Sequence, residues 1–110
     1  MATSKDKTIL DKYIFKGLTN LNDGFDSPFI KYFSKEDFQA VLERVENMGL
    51  GIYGIEPWPN GKFGGVKIYE DYSDKPNDPS WYKKAFQEFL DEGIDSHFSA
   101  TYQVQAKYFL

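Results

Sequence analysis

The chain has no cysteine, which removes three classes of chemistry at once. No disulfide can staple it, no thiolate can hold a metal, and no cysteine can act as a nucleophile. Histidine occurs once, at His97, so a multi-histidine metal site is excluded and the commonest general base has a single representative. No stretch of about 18 apolar residues is present, so no membrane-spanning helix and no membrane partner are expected. The opening MATSKDKTILDKY lacks an apolar run of about 7–15 residues, so no signal peptide is expected and the expected compartment is the cytoplasm. The motifs G-x-S-x-G, G-x-x-x-x-G-K and H-E-x-x-H are all missing, and the sequence assigns no catalytic residue, no metal ligand and no cofactor. Basic residues are outnumbered, 13 against 17 acids, which leaves a net charge of −4. A nucleic-acid partner is therefore not expected, because phosphate binders cluster Lys and Arg on one face.

What the chain has in quantity is aromatic rings. Ten Phe, eight Tyr and two Trp make up 18% of its 110 residues, a composition that disordered chains avoid. A single domain over residues 1–110 is expected, with residues 1–7 frayed. The charge is uneven. Glu70 to Asp95 holds eight acids and three lysines, whereas the first 69 residues hold nine acids and nine bases. An acidic face over the last third would attract a basic partner.

Local patterns organise the rest. The stretch Gly51–Tyr72 reads as a β-hairpin, with arms Ile52–Trp58 and Phe63–Tyr72 meeting at Asn60-Gly61, the pair that best suits a type I′ turn. Pro57 and Pro59 take the tip near Trp58 out of the regular ladder, and Gly64-Gly65 suggests a bulge. A helix is predicted before the hairpin, with Ser34 as N-cap, Phe33 and Phe38 as a hydrophobic staple, and Gly49 at C′. Its apolar positions Phe38, Val41, Leu42, Val45 and Met48 share one face. A second helix starts at Asp78 and Pro79, buries Trp81 or Tyr82 with Ala85, Phe86, Phe89 and Leu90, and stops before Gly93. The final stretch Phe98–Tyr108 alternates apolar and polar residues, the period of a half-buried strand. Thr19–Pro28 is a loop by composition. A first strand is expected at Tyr13–Lys16, where a helical face through Ile9, Leu10 and Ile14 competes, or at Phe29–Phe33. The resulting order is βαββαβ, an α+β ferredoxin-like sandwich whose antiparallel or mixed sheet carries two helices on one face.

Function is read from surfaces rather than motifs. Glu70, Asp71, Asp74 and Asp78 do not have the spacing of a Ca²⁺ loop and read as a solvated loop plus a helix cap. Rings exceed what one sheet face can use, and Trp and Tyr are enriched at binding hot spots. A small acidic protein-binding module is the expectation, sharpest as an inhibitor or immunity-type protein that neutralises a basic partner such as a nuclease toxin or defence nuclease. Its expected contact residues are Trp58, Tyr69, Glu70, Asp71, Tyr72, Asp74 and Trp81. The alternative is a small-molecule-binding or enzymatic domain with a cleft around Glu56 and His97. A concave apolar pocket around either residue would favour it. Self-association through the last strand, if that strand lies at an edge, is a further possibility.

Overall fold

A computed structural model describes residues 4–24, 26–28, 30–58, 65–95 and 97–105. Its elements are α1 (Ser4–Ile9), which runs into a π-helical turn (Leu10–Ile14), then α2 (Lys35–Met48), β1 (Gly51–Trp58), β2 (Lys67–Ile68), a 3-10 turn (Tyr69–Asp71), α3 (Pro79–Asp91) and β3 (His97–Gln103). The fold class is α+β. The sheet is antiparallel with order β2-β1-β3, so β1 is its centre.

Both long helices begin and end where local chemistry directs. Ser34 Oγ accepts the Asp37 amide at 3.1 Å, and Asp78 Oδ1 accepts the Ser80 amide at 3.0 Å. Gly49 sits at φ 68°, and the Leu50 amide returns to the Val45 carbonyl at 3.0 Å. Gly93, at φ 84°, closes α3 in the same way, with Ile94 bonding back to Phe89 at 3.1 Å. These are Schellman ends, which satisfy helix carbonyls that would otherwise lack donors. The acids at the negative end of α3 are offset locally: Gln87 donates to Asp91 at 2.9 Å, and Lys67 pairs with Glu92 at 3.1 Å.

The core lies between one sheet face and the two helices. Phe98 is its hub, with ring centroids 5.7 Å from Phe38, 5.0 Å from Phe86 and 6.2 Å from Phe89. Ile52 and Ile55 of β1 both face this core although they are three positions apart, an odd spacing. A register shift between Ile52 and Gly54 makes this possible, since a bulge at Tyr53 resets the alternation of side chains. The bulge expected at Gly64-Gly65 falls half outside the described residues, as does the whole Asn60-Gly61 turn. Gly51 sits in a tight place: a Cβ there would stand 2.5 Å from Gln103 Oε1, a side-chain end that can swing away, and 3.1 Å from the Pro76 backbone, which would have to give by a few tenths of an ångström.

Several expectations are corrected. Tyr13–Lys16 is not a strand. Leu10 and Ile14 are buried on one helical face, and the Phe15 amide bonds to the Leu10 carbonyl at 2.9 Å, the i to i+5 closure of a π turn. Arg44 of α2 completes this end by donating to the Ile14 and Lys16 carbonyls at 2.9 and 2.8 Å. The second hairpin arm is strand only at Lys67–Ile68 among the described residues, because Tyr69–Asp71 turns into a 3-10 helix. The last strand ends at Gln103; Val104 and Gln105 are outside it, and residues 106–110 are not described. Of Phe29–Phe33, Phe33 makes an isolated bridge to Phe98, and Phe29 is not described. The ferredoxin-like order is not found among the described residues: β3 pairs directly with β1 instead of with a first strand between them.

Candidate functional site

The expected contact residues divide between two places. Tyr69 to Asp74 and Trp81 come together beside the start of α3, and Trp58 stands on the other face of the sheet.

The first place is built on Trp81. Its indole Nε1 donates to the Ile52 carbonyl at 3.1 Å and to the Pro76 carbonyl at 3.2 Å. The Ile52 amide reaches the same Pro76 carbonyl at 2.9 Å. Trp81 is buried in this role, so its ring belongs to the core and is not a surface anchor. Tyr72 packs against it at 5.5 Å between ring centroids, and the Tyr72 hydroxyl donates to Glu88. Burial, then the bond to Glu88, pushes the Tyr72 phenol well above its usual range. Tyr69 is half-buried and meets the exposed Tyr53 at 6.1 Å. Above these rings Glu70, Asp71 and Asp74 are exposed, and none has an ion pair among the described residues. Asp78 is committed differently. Ser80 and Ser73 hydroxyls donate to it at 2.7 and 2.9 Å, and these bonds, Ser80 first, hold its carboxyl below the usual range.

A groove of about 690 Å³ opens next to this segment. One wall is Val66, Lys67, Asp71 and Tyr72, and the other is the Ser80–Lys84–Glu88 stripe of α3. Positions i, i+4 and i+8 fall on one side of a helix, which is why three polar residues spaced by four line it together. Lys67 is already engaged with Glu88 at 3.8 Å and with Glu92, and its ammonium lies 4.8 Å from the Phe89 ring centroid.

The second place lies on the sheet face away from the helices. In the β1–β3 ladder Glu56 is opposite Ser99, and Trp58 is opposite His97, so these four share a face. Tyr32 and Asp26, from the loop before α2, meet this face at Trp58 and near Glu56. Tyr32 is fully buried there, 6.2 Å from the Trp58 ring, and its hydroxyl donates to Asp26 Oδ2 at 2.7 Å. Asn22 is the hinge pin of the loop: its Nδ2 donates to the Ser27 and Ile30 carbonyls at 2.8 and 2.7 Å, and its Oδ1 accepts the Gly24 amide at 3.1 Å. Glu56 is half-buried on this face. Desolvation first, then the nearby Asp26 carboxylate, raises its pKa above the ordinary carboxylate value. Burial and the bond to Asp26 raise the Tyr32 phenol as well.

The rival cleft around Glu56 and His97 was to be recognised by a concave apolar pocket, and the groove described above includes neither residue. Among the described residues no three His, Asp or Glu side chains gather to hold a metal ion, and no helix is long and apolar enough to cross a membrane. Asp26, Tyr32 and Asn22 escape the sequence reading. Their one signal is the density of Asn and Asp between Asn20 and Asp26, residues whose side chains bond to nearby backbone and build loops with a defined shape.

No family model, curated protein or solved structure matches the chain.

Proposed function

We propose that this protein is a small acidic protein-binding module. It docks a basic partner through the Tyr69–Asp74 segment and the groove beside α3. Its sharper form is an inhibitor of the immunity type, which covers the basic face of a nuclease. The observation that carries this reading is the set of three exposed carboxylates, Glu70, Asp71 and Asp74, without ion pairs among the described residues, on a segment whose Tyr72 packs against Trp81 and whose Tyr69 packs against the core. Charges held on an ordered support raise association rates and reject partners of like charge, and half-buried Tyr rings beneath them add apolar area at little entropic cost. Trp58 contributes from the opposite sheet face and so belongs to a different contact.

The test is capture from host lysate at low and high salt. The wild-type chain should retain one stoichiometric basic protein, released by salt. The triple variant Glu70→Lys, Asp71→Lys, Asp74→Lys should not retain it. Equal retention by the variant would sink the reading.

A second reading keeps the small-molecule or enzymatic domain around Glu56, supported by its raised pKa beside Asp26 and Tyr32. Thermal-shift screening of Glu56→Gln against the wild type tests it: a ligand that stabilises the wild type alone would favour this reading over the first.

A further inference from the structure

We infer that Glu56, Asp26 and Ser99 bind the ammonium group of a protonated primary amine on the sheet face away from the helices. The inference rests on the second reading above and gives that site its ligand class.

The three residues are brought together by the register of the chain. Phe33 and Phe98 exchange both backbone bonds at 2.8 Å, so the segment before α2 runs antiparallel beside β3 at this point. That register places Tyr32 level with Ser99, and the β1–β3 ladder places Ser99 opposite Glu56. Phe33 belongs to the core, and alternation sends Tyr32 to the other face. Tyr32, Ser99 and Glu56 therefore form one cross-strand row, with a small residue between two large ones.

Donors and acceptors do not balance in this row. The Tyr32 hydroxyl has one hydrogen, and Asp26 Oδ2 accepts it at 2.7 Å. The Ser27 amide donates to Asp26 Oδ1 at 2.7 Å, so this carboxylate is fixed in place. Glu56 accepts no side-chain hydrogen bond and makes no ion pair among the described residues. Ser99 is only 4% exposed, and its hydroxyl also has no bond among them. A buried hydroxyl and a half-buried carboxylate thus face each other without a partner, beside a second carboxylate whose charge both Glu56 and Tyr32 feel.

A compact positive donor supplies what is missing. An ammonium has three hydrogens and no acceptor, which matches Glu56, Asp26 and the Ser99 oxygen. A divalent metal ion matches less well, because it takes more oxygen ligands than two carboxylates give, and no three acids gather among the described residues.

The probe is n-butylammonium, titrated into the intact chain at neutral pH and low salt. Backbone amide shifts are the readout, together with the two indole resonances, of which Trp81 on the helix side is the internal control. Saturable shifts at Glu56, Trp58 and Ser99 are expected, with half-saturation at about 1–10 mM for a ligand of this size. Neutral n-butanol, sodium chloride and magnesium chloride should not produce them. Glu56→Gln should weaken binding by about tenfold or more, and Ser99→Ala by about threefold. The fold of each variant is checked by its amide spectrum without ligand. Nα-acetyl-lysine amide separates the two sources of the group: tighter binding than n-butylammonium indicates a lysine side chain of a partner, weaker binding indicates a free amine, and either supports the ammonium site. Equal shifts with n-butanol or magnesium, unchanged affinity in a folded Glu56→Gln, or no saturation by about 100 mM would overturn it. The second reading is judged apart from it. That reading stands if a neutral or anionic compound stabilises the wild type and not Glu56→Gln in the thermal-shift screen, and it falls with this inference if no compound does.

Discussion

Two groups of carboxylates on this chain meet opposite surroundings. Asp26, in the loop before α2, lies near Glu56 of β1; Tyr32 bonds to Asp26, and desolvation resists ionisation of Glu56. Glu70 and Asp71, on a short 3-10 turn, and Asp74 just after it lie in water, with no ion pair among the described residues. The contrast separates two uses of negative charge. Buried charge is costly and makes the local fold depend on pH. Exposed unpaired charge costs little and remains available to a partner.

The comparison can be broken from below by removing the support of the exposed group. Trp81→Ala deletes a buried ring and leaves the Ile52 carbonyl without one of its donors. It should lower unfolding free energy by about 3–5 kcal/mol, read from the urea midpoint. Tyr32→Phe attacks the covered group more gently. It keeps the packing on Trp58 and removes the donor to Asp26, at an expected cost of about 1–2 kcal/mol by the same measurement.

Glu56→Gln sharpens the comparison through pH. The folded pKa of Glu56 lies above its unfolded value, so the folded chain holds the proton more tightly. That stabilisation is complete below the unfolded pKa, near 4.5, and is lost as pH rises through the folded value. At neutral pH Glu56→Gln should therefore be more stable than the wild type by on the order of 0.5 kcal/mol, with the gap closing on acidification. A gap that widened on acidification would place Glu56 in a stabilising ion pair instead. Each of Glu70→Lys, Asp71→Lys and Asp74→Lys should change stability least, within about 0.5 kcal/mol, while abolishing capture of a basic partner when combined.

The exposed group was legible in the sequence, and the covered group largely was not. Acids near the end of a predicted strand, followed by Pro, Asn and Asp, are expected to stay wet, and Glu70, Asp71 and Asp74 do. Helix ends were equally plain, because Ser34, Asp78, Gly49 and Gly93 act through their own backbone neighbours. Tertiary contacts were not. Ile9, Leu10, Tyr13 and Ile14 fit helix and strand alike until Arg44, some thirty residues on, caps the helical alternative. Trp81 looked like a surplus ring, but with Ala85 and Phe89 it forms one row of α3 while Tyr82 and Phe86 form the next, and both rows are buried. The alternation in β3 predicted one wet face. Ser99 is buried on that face, opposite Glu56 and on the same side as the Tyr32–Trp58 ring contact, and Tyr32 lies far from the strand in sequence.

One carbonyl ties the sheet to the acidic segment. Pro76 O receives the Ile52 amide and the Trp81 indole, so a strand, a helix and a loop converge on a single oxygen. The Ile52 proton is thus shielded from solvent deuterium by a loop carbonyl, not by a neighbouring strand. Its exchange rate is a clock for that loop: any occupant that clamps residues 69–76 should slow the exchange of one amide in the middle of the protein, and a single resonance would report the event.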